Sequence, residues 1–264
     1  MKQFYTFLAA VLLTATTFAQ VGINNETPDA SSALDITSTK GGLLVPRMTA
    51  AQRDAITSPT QGLIIFCTDC ALGVGELQVK LTSSWKNTTG GDVHDPVVFG
   101  DFYGGGVVFH LFVNGETGYV AGETHGLIAA VEDQSDDIRW WNGSYVTVGT
   151  QGAIGTGSAN TDAIINAQGP IETSYAAGLA RAYDGGGYDD WFLPSLWELT
   201  VMCQNRSTIN NTASENGGSF NWSYYWSSSE STYGRAWFVY SGNANQYSQG
   251  NKDHTYPVRA VRAF

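Results

Sequence analysis

The stretch from Ser219 to Tyr256 constrains the fold most. It holds Phe220, Trp222, Tyr224, Tyr225, Trp226, Tyr233, Trp237, Phe238, Tyr240, Tyr247 and Tyr256, separated by Ser, Asn, Gly and Gln and almost free of aliphatic side chains. An ordinary core is built from Leu, Ile and Val. Two readings fit this composition. One is a binding surface, in which aromatics give rigid contact area and Ser, Asn and Gly give adaptable hydrogen bonds. The other is a loop-rich β region whose aromatics fill a small core beside Gly/Asn turns. Some of the rings are structural in either case, because so much exposed apolar area opposes solubility.

The 264 residues suffice for one large domain or two smaller ones. A formal charge of -11 argues against nucleic acid and against an anionic membrane surface, both of which require clustered Lys and Arg. The first residues bear on the compartment. Lys2 supplies a positive start, Phe7 to Leu13 an apolar run, and Thr17-Phe18-Ala19 a small-x-small cleavage site, so residues 1–19 read as a secretory signal peptide. The apolar run is too short to span a bilayer, and no membrane insertion is expected after cleavage. Gln20 stands where a lipoprotein would carry Cys. The chain therefore reads as exported, extracellular or held at the cell surface.

An exported chain meets an oxidising compartment, and this one has three cysteines. Cys67-Thr-Asp-Cys70 lacks the second pair that a four-thiolate zinc site needs. It follows the strand-like run Leu63-Ile-Ile-Phe66 rather than opening a helix, so it reads as a local disulfide pinning a turn. Cys203 is left over in a helical segment, as a buried small hydrophobe.

In chain order, residues 20–89 read as a β-rich module of short strands between Gly, Pro, Ser and Thr, with one short helix capped by Thr49. Its apolar content is thin for a monomeric core. Residues 90–96 read as a linker, and the pattern changes beyond it. Gly104 to Val113 is a buried-looking strand followed by the hairpin signal Asn114-Gly115, and Gly126 to Val131 is a second strand. Helices are expected over Thr161–Ala167, capped by Thr161, and over Thr173–Tyr183. In Asp190-Trp-Phe-Leu-Pro-Ser-Leu-Trp-Glu-Leu199, Ser195 and Glu198 form a capping box, which makes Glu198 a cap rather than a catalytic acid. Tyr225–Ser229, Arg235–Tyr240 and Val258–Ala263 read as the last strands.

No nucleophile elbow, His-Glu-x-x-His motif or nucleotide loop is present, and His94, His110, His125 and His254 are scattered. His110 reads as a near-core residue within a strand. The clusters Glu132-Asp133/Asp136-Asp137 and Asp184/Asp189-Asp190 match no EF-hand loop and read as solvated acidic loops, with a structural hydrogen-bonding role as the alternative for Asp190. No metal or other cofactor is expected. Trp191, Trp197, Trp226 and Trp237 lie in or beside strand and helix motifs and are assigned to the core.

Several of these motifs carry a resemblance. They are Gly104-Gly-Gly-Val-Val-Phe, Gly126-Leu-Ile-Ala-Ala, Ala153 to Thr161, Gly187-Tyr-Asp-Asp-Trp-Phe-Leu-Pro-Ser195, Tyr225-Trp-Ser-Ser-Ser-Glu230, Ala236-Trp237 and Tyr256-Pro-Val-Arg-Ala-Val-Arg262. In that order they resemble the C-terminal domain of Legionella collagen-like adhesins and the related Fibrobacter paralogous domain, over residues 97–264. The module before it is similar to the N-terminal segment of Bacteroidetes-type exported proteins and to phage tail-fibre pieces.

These resemblances imply an α+β chain, a C-type-lectin-like domain with its first and last strands paired behind a small β-rich stalk or head module, and a homo-oligomer, in particular a trimer. In the adhesin relatives such a domain binds sulfated polysaccharides. Similar domains serve as display scaffolds whose variable region here corresponds to Ser231–His254. The acidity of this chain makes a neutral glycan or a protein the better expectation. The Leu-Pro-Ser-x-x-Glu stretch is also similar to formylglycine-generating-type enzymes, but no cysteine follows Cys203 to supply their thiol pair or copper site.

The expected function is adhesin-like binding of an extracellular glycan without chemistry. The alternatives are a protein-binding display or fibre-tip module and, less favoured, a divergent enzyme of the formylglycine-generating type. The expected contact set is Tyr233, Arg235, Tyr240, Asn243, Asn245, Tyr247, Gln249, Asn251, Lys252, Asp253 and His254.

Overall fold

The computed structural model describes residues 20–169 and 173–264; the expected signal peptide lies outside them. Two compact units result, one ending at Val45 and one running from Pro46 to Phe264. In the first, β1 (Val21–Ile23) and β2 (Leu34–Ile36) pair in parallel. The Asp35 carboxylate accepts from Asn25 Nδ2 and the Asp29 amide, both at 2.9 Å, and so ties the intervening loop together.

The second unit opens with a four-stranded sheet of order β3-β4-β5-β6, made of β3 (Arg47–Met48), β4 (Ile64–Cys67), β5 (Glu76–Lys80) and β6 (Trp85–Asn87). Helix α1 (Ala50–Asp54) starts at Thr49, whose hydroxyl and the Gln52 side chain make a full capping box. The Sγ atoms of Cys67 and Cys70 are 1.99 Å apart, closing the turn after β4. Period-two alternation gives this sheet two faces. Ile65, Cys67 and Gln78 are buried on one, where the buried Arg53 of α1 donates to Gln78 Oε1 at 2.9 Å and pairs with Asp95 at 2.8 Å. Ile64, Phe66, Leu77 and Val79 occupy the other, in the cross-strand pairs Ile64↔Val79 and Phe66↔Leu77, and Ile64 and Leu77 are exposed. Residues 90–96 are bound into this unit: the Ala71 amide donates to His94 O at 2.8 Å, and His94 Nδ1 lies 2.7 Å from Glu76 Oε1.

Residues from Phe102 onward build the rest of the second unit, mostly β with a few helices. Its central sheet has the order β15-β9-β8-β7, from β7 (Phe102–Tyr103), β8 (Gly106–Leu111), β9 (Gly126–Ala130) and β15 (Val261–Ala263). The last strand thus shares a sheet with the first but pairs with β9. Both faces are covered. Val107, Phe109, Leu127, Ala129 and Val261 pack with α4 (Leu196–Gln204) and α5 (Arg206–Glu215). Val108, Ile128 and Ala130 pack in a second core with Trp140, Trp191, Trp226 and Phe238. Strands β10 (Ser135–Arg139) and β14 (Thr255–Val258) pair antiparallel. Strands β11 (Tyr224–Thr232), β12 (Arg235–Tyr240) and β13 (Asn245–Asn251) form a three-stranded antiparallel sheet.

The serines of Tyr225-Trp-Ser-Ser-Ser229 are buried connectors. Ser227 Oγ donates to Trp237 O (2.8 Å) and Ser229 Oγ to Gln151 O (2.7 Å). Ser229 Oγ also accepts the Leu196 amide (2.9 Å), and Ser228 Oγ accepts Asn160 Nδ2 (3.1 Å). One strand therefore fixes the 151–155 loop and the start of α4. The capping box of α4 is present, and buried Glu198 also accepts the Gly155 and Gly157 amides at 2.7 and 3.3 Å. Its oxygens serve the backbone.

Several expectations are corrected. Helix α2 (Gly157–Gln168) starts before Thr161, which is an interior residue donating to Gly157 O at 2.8 Å and accepting the Leu193 amide at 3.0 Å. Helix α3 (Ala176–Ala182) is shorter than the pattern suggested. Asn114-Gly115 forms a turn, with the Glu116 amide on Val113 O at 3.0 Å, but that turn opens a long connection to β9. Trp197 is 51% exposed, on the outer side of α4, and Trp237 is half-buried. Asp133 is no solvated loop residue: its carboxylate pairs with buried Arg259 Nε at 2.7 Å and accepts Tyr225 Oη at 2.8 Å. Arg259 also donates to Ala130 O (3.0 Å) and Ser219 O, and lies 4.3 Å from the Phe220 ring centre, so one guanidinium joins its own strand end to residues 130–133 and 219–220.

Two outcomes follow. Asp133→Ala leaves a buried guanidinium without its anion and lowers the unfolding free energy by about 3–5 kcal/mol, measured by denaturant unfolding. Burial pushes the Cys203 thiol up to about 12. It is therefore protonated at pH 8 and resists a disulfide-exchange thiol reagent in the native protein, while reacting promptly once denatured.

Candidate functional site

The sheet β11-β12-β13 has one face toward α4, while the other runs from the second core, at Trp226 and Phe238, out to solvent at Tyr224 and Tyr247. Period two places Tyr225 and Val239 on the helix side, within the core that holds Leu199 and Phe220. Tyr224, Trp226, Phe238, Tyr240 and Tyr247 share the other side through the cross-strand pairs Tyr224↔Tyr240, Trp226↔Phe238 and Phe238↔Tyr247. Tyr256 of β14 joins them, with its ring 4.6 Å from Trp226 and 4.7 Å from Phe238.

This layer has a floor and a top. Trp226 and Phe238 are buried, Tyr240 and Tyr256 are half-buried, and Tyr224 and Tyr247 are exposed by 40% and 37%. Tyr247 stacks on Phe238 at 5.2 Å with 11° between planes, while Tyr224 meets Tyr240 at 4.8 Å and Tyr247 edge-on at 5.7 Å. Each contact restricts a ring, so the upper tyrosines stand on a fixed base. Gly250 makes the close packing possible: a Cβ there would lie 2.7 Å from both the Phe238 and Trp226 rings. Burial raises the Tyr256 phenol above its ordinary value, with neighbouring Tyr224 adding to the effect.

Around the rings lie amides. Asn243 and Asn245 are exposed in the β12–β13 turn, where Asn243 Oδ1 accepts the Asn245 amide at 3.1 Å. Trp222, 65% exposed, extends the surface and carries the Arg206 guanidinium 3.9 Å over its ring. Such a face offers flat apolar area bordered by neutral donors and acceptors.

The expected contact set divides. Tyr240, Asn243, Asn245 and Tyr247 gather at the Tyr224 end of the sheet. Tyr233, Arg235, Gln249, Asn251 and Asp253 lie toward the other end, and His254 stands between the two groups, its ring edge-on to Tyr256 at 6.4 Å. The nine residues of β11 separate the two ends by roughly 25–30 Å, at about 3.3 Å per residue. There Arg235 Nη1 donates to Gln249 Oε1, and Asn251 Nδ2 lies 3.4 Å from His254 Nε2. Exposed Tyr233 tilts against Tyr145 at 5.7 Å, and Tyr145 stacks on Trp141 at 4.0 Å.

Lys252 does not reach the surface. It is fully buried, with its ammonium 2.5 Å from Glu230 Oε1, 3.0 Å from Val146 O and 4.4 Å from the Trp140 ring centre. Burial depresses its pKa, and the Glu230 carboxylate opposes that. The other Glu230 oxygen accepts the Val148 and Gly149 amides at 2.8 and 2.7 Å, so the pair pins a loop. Tyr224, Tyr256 and Trp222 are surface members absent from the expected set. Period two from buried Trp226 was the signal for Tyr224.

Among the described residues, Cys67, Asp69 and Cys70 alone bring three metal-ligating side chains within reach of one point, and the two sulfurs are bonded to each other. No helix of the described residues is long and apolar enough to cross a membrane.

Comparison with known proteins adds the following. No curated protein matches the chain. Among solved structures, a fimbrial protein from Bacteroides ovatus ATCC 8483 aligns at 15% identity with a TM-score of 0.48, over 71% of this chain and 56% of its own. The chain thus spans little more than half the length of that protein. Residues 22–97 match the phage tail like trimerisation region. Residues 129–262 match the Lcl C-terminal domain, a span that takes in α2 to α5, the aromatic sheet and all but the last two residues of the chain. With the ordered motifs, that match covers half of the 264 residues, and the chain belongs to the Lcl C-terminal domain family.

Proposed function

We propose that the protein is an exported, adhesin-like surface protein, a homotrimer in which residues 20–89 assemble the copies and residues 97–264 form a C-type-lectin-like domain. The ligand is an extracellular glycan, docked on the tyrosine face without chemistry. The observation that carries this reading is the two-tier aromatic layer: exposed Tyr224 and Tyr247 held on buried Trp226 and Phe238, with Asn243 and Asn245 at the rim. Rings in fixed orientation stack on the apolar faces of sugars, and the amides pair with hydroxyls. The net charge of -11 favours a neutral glycan over a sulfated one.

Tyr233, Arg235, Gln249, Asn251, Asp253 and His254 form a second part of the same surface in this reading, and Lys252 supports the loop beneath it. Assembly is supported by the match to a trimerisation region and by exposed Ile64 and Leu77 on the outer face of the β4–β5 hairpin. One observation favours the second reading, a protein ligand: exposed Trp222 beside Arg206 pairs two residue types that dominate protein–protein hot spots.

A glycan array probed with the mature chain tests the proposal. Neutral glycans are expected to bind, and Tyr247→Ala and Tyr224→Ala each weaken binding at least about tenfold, or 1.4 kcal/mol, with unchanged circular dichroism and melting. Unchanged binding in both variants removes the site. An empty array together with capture of a host surface protein transfers the face to the second reading.

A further inference from the structure

A second group of rings stands at the far end of the aromatic sheet. Tyr145 stacks on Trp141 at 4.0 Å and meets Tyr233 at 5.7 Å. Tyr145 and Tyr233 are exposed, and Trp141 is half-buried. Tyr233 sits in the β11–β12 turn, while Trp141 and Tyr145 sit on the loop that follows β10. That loop is held at two points: the Trp140 amide donates to Lys252 O at 3.2 Å, and Lys252 Nζ donates to Val146 O at 3.0 Å. Trp141 Nε1 is the one buried side-chain nitrogen or oxygen among the described residues without a hydrogen-bond partner. Finished interior satisfies such donors, so this group of rings differs from filled core.

Both groups of rings rest on one core. Trp141 and Tyr256 each pack against the cluster that holds Trp140, Trp226 and Phe238, whereas Tyr225 and Val239, on the α4 side of the sheet, belong to the other core. The β10–β14 ladder leads from one group to the other. Tyr256 lies opposite Ile138, and Thr255 lies opposite Arg139. Trp141 comes three residues after Ile138, which is no more than about 11 Å of backbone. Arg139, Asp253, His254 and Thr255 are exposed along this stretch, with the His254 ring 6.4 Å from Tyr256 and its Nε2 3.4 Å from Asn251 Nδ2. The result is a band with aromatic ends and a polar middle.

We propose that Trp141, Tyr145 and Tyr233 form a second aromatic subsite, and that the two groups of rings hold one linear oligosaccharide between them. The inference rests on the glycan reading above and specifies the guest as a chain of sugars rather than a single terminal sugar. Tyr224 opens β11 and Tyr233 follows its last residue, so the bound stretch spans roughly 25–30 Å. A repeating chain fits because the same chemistry, an exposed tyrosine on a ring held from below, recurs at both ends of one surface. Hydroxyls along the chain meet the polar groups between the ends. Two weak stacking contacts joined by one guest reinforce each other through effective concentration, whereas a single sugar gains from only one of them.

An array of neutral linear glucans, mannans, galactans and xylans, each printed from disaccharide to octasaccharide, tests it with the mature chain. Wild type is expected to bind the octasaccharide of the recognised series at least about tenfold more tightly than the shortest member that binds. Tyr145→Ala and Tyr233→Ala are expected to remove that gain and to leave binding of the shortest member unchanged, whereas Tyr247→Ala weakens every length. Equal affinity at all lengths, or a gain that survives both Tyr145→Ala and Tyr233→Ala, overturns this inference and leaves the tyrosine-face reading intact. No binding at any length overturns both. Tyr233 is exposed in a turn, so its variant gives the readout even where Tyr145→Ala disturbs the loop.

Discussion

Two buried indoles bond across the fold, and the aromatic face proposed for binding depends on them. Trp226 Nε1 donates to Ile138 O at 2.9 Å, and Trp140 Nε1 donates to Ser227 O at 2.8 Å. Both rings are fully buried, so each N–H needs an acceptor in the interior, and each finds it on or next to the strand that carries the other ring. The β10–β14 ladder is thereby locked over β11. That lock puts Tyr256 on Trp226 and sets the floor on which Tyr224 and Tyr247 stand.

A surface of rings is useful for recognition when it is ordered before the ligand arrives, since immobilising side chains on binding costs affinity. Order is supplied here from below. Buried serines tie β11 to α4 and to the 151–155 loop, the Glu230–Lys252 pair holds the loop at 146–149, and Arg259 with Asp133 ties the C-terminal strands to the middle of the chain. Buried ion pairs add little net stability over an apolar core, but losing one partner is costly, which makes them good specifiers of a single arrangement. In the proposed trimer the same face would be presented three times, and weak contacts to a sugar would gain through effective concentration.

What was legible in the sequence was local. Ser195 and Glu198 are three residues apart and signal their capping box directly, and Cys67 and Cys70 are close enough for one turn to join them. The resemblance borne by Trp-Phe-Leu-Pro-Ser and Tyr-Trp-Ser-Ser-Ser is matched by the family assignment, although those serines act as interior connectors. What escaped depends on distant partners. Lys252 reads as a solvent-facing loop cation until Trp140, Val146 and Glu230 enclose it. Asp133 reads as one of an acidic run until Arg259 arrives from the last turn of the chain. Helix α5, Arg206–Glu215, is rich in Ser, Thr and Asn, which favour caps and turns over helix interiors. It is held by two buried apolar residues, Ile209 and Ala213, too few to announce a period. Trp197 was assigned inward by its neighbours, but its place on α4 turns it outward.

The account requires a rigid, outward-facing tier of tyrosines above a closed aromatic floor. Hydroxyl-radical footprinting of the mature chain, read by mass spectrometry at single residues, measures that directly. Tyr224, Tyr247 and Trp222 are expected to oxidise readily, while Tyr225, Trp226 and Trp140 stay protected until the protein unfolds. Protection of Tyr224 and Tyr247 equal to that of Trp226 would mean that the rings are interior, and the binding face would not exist.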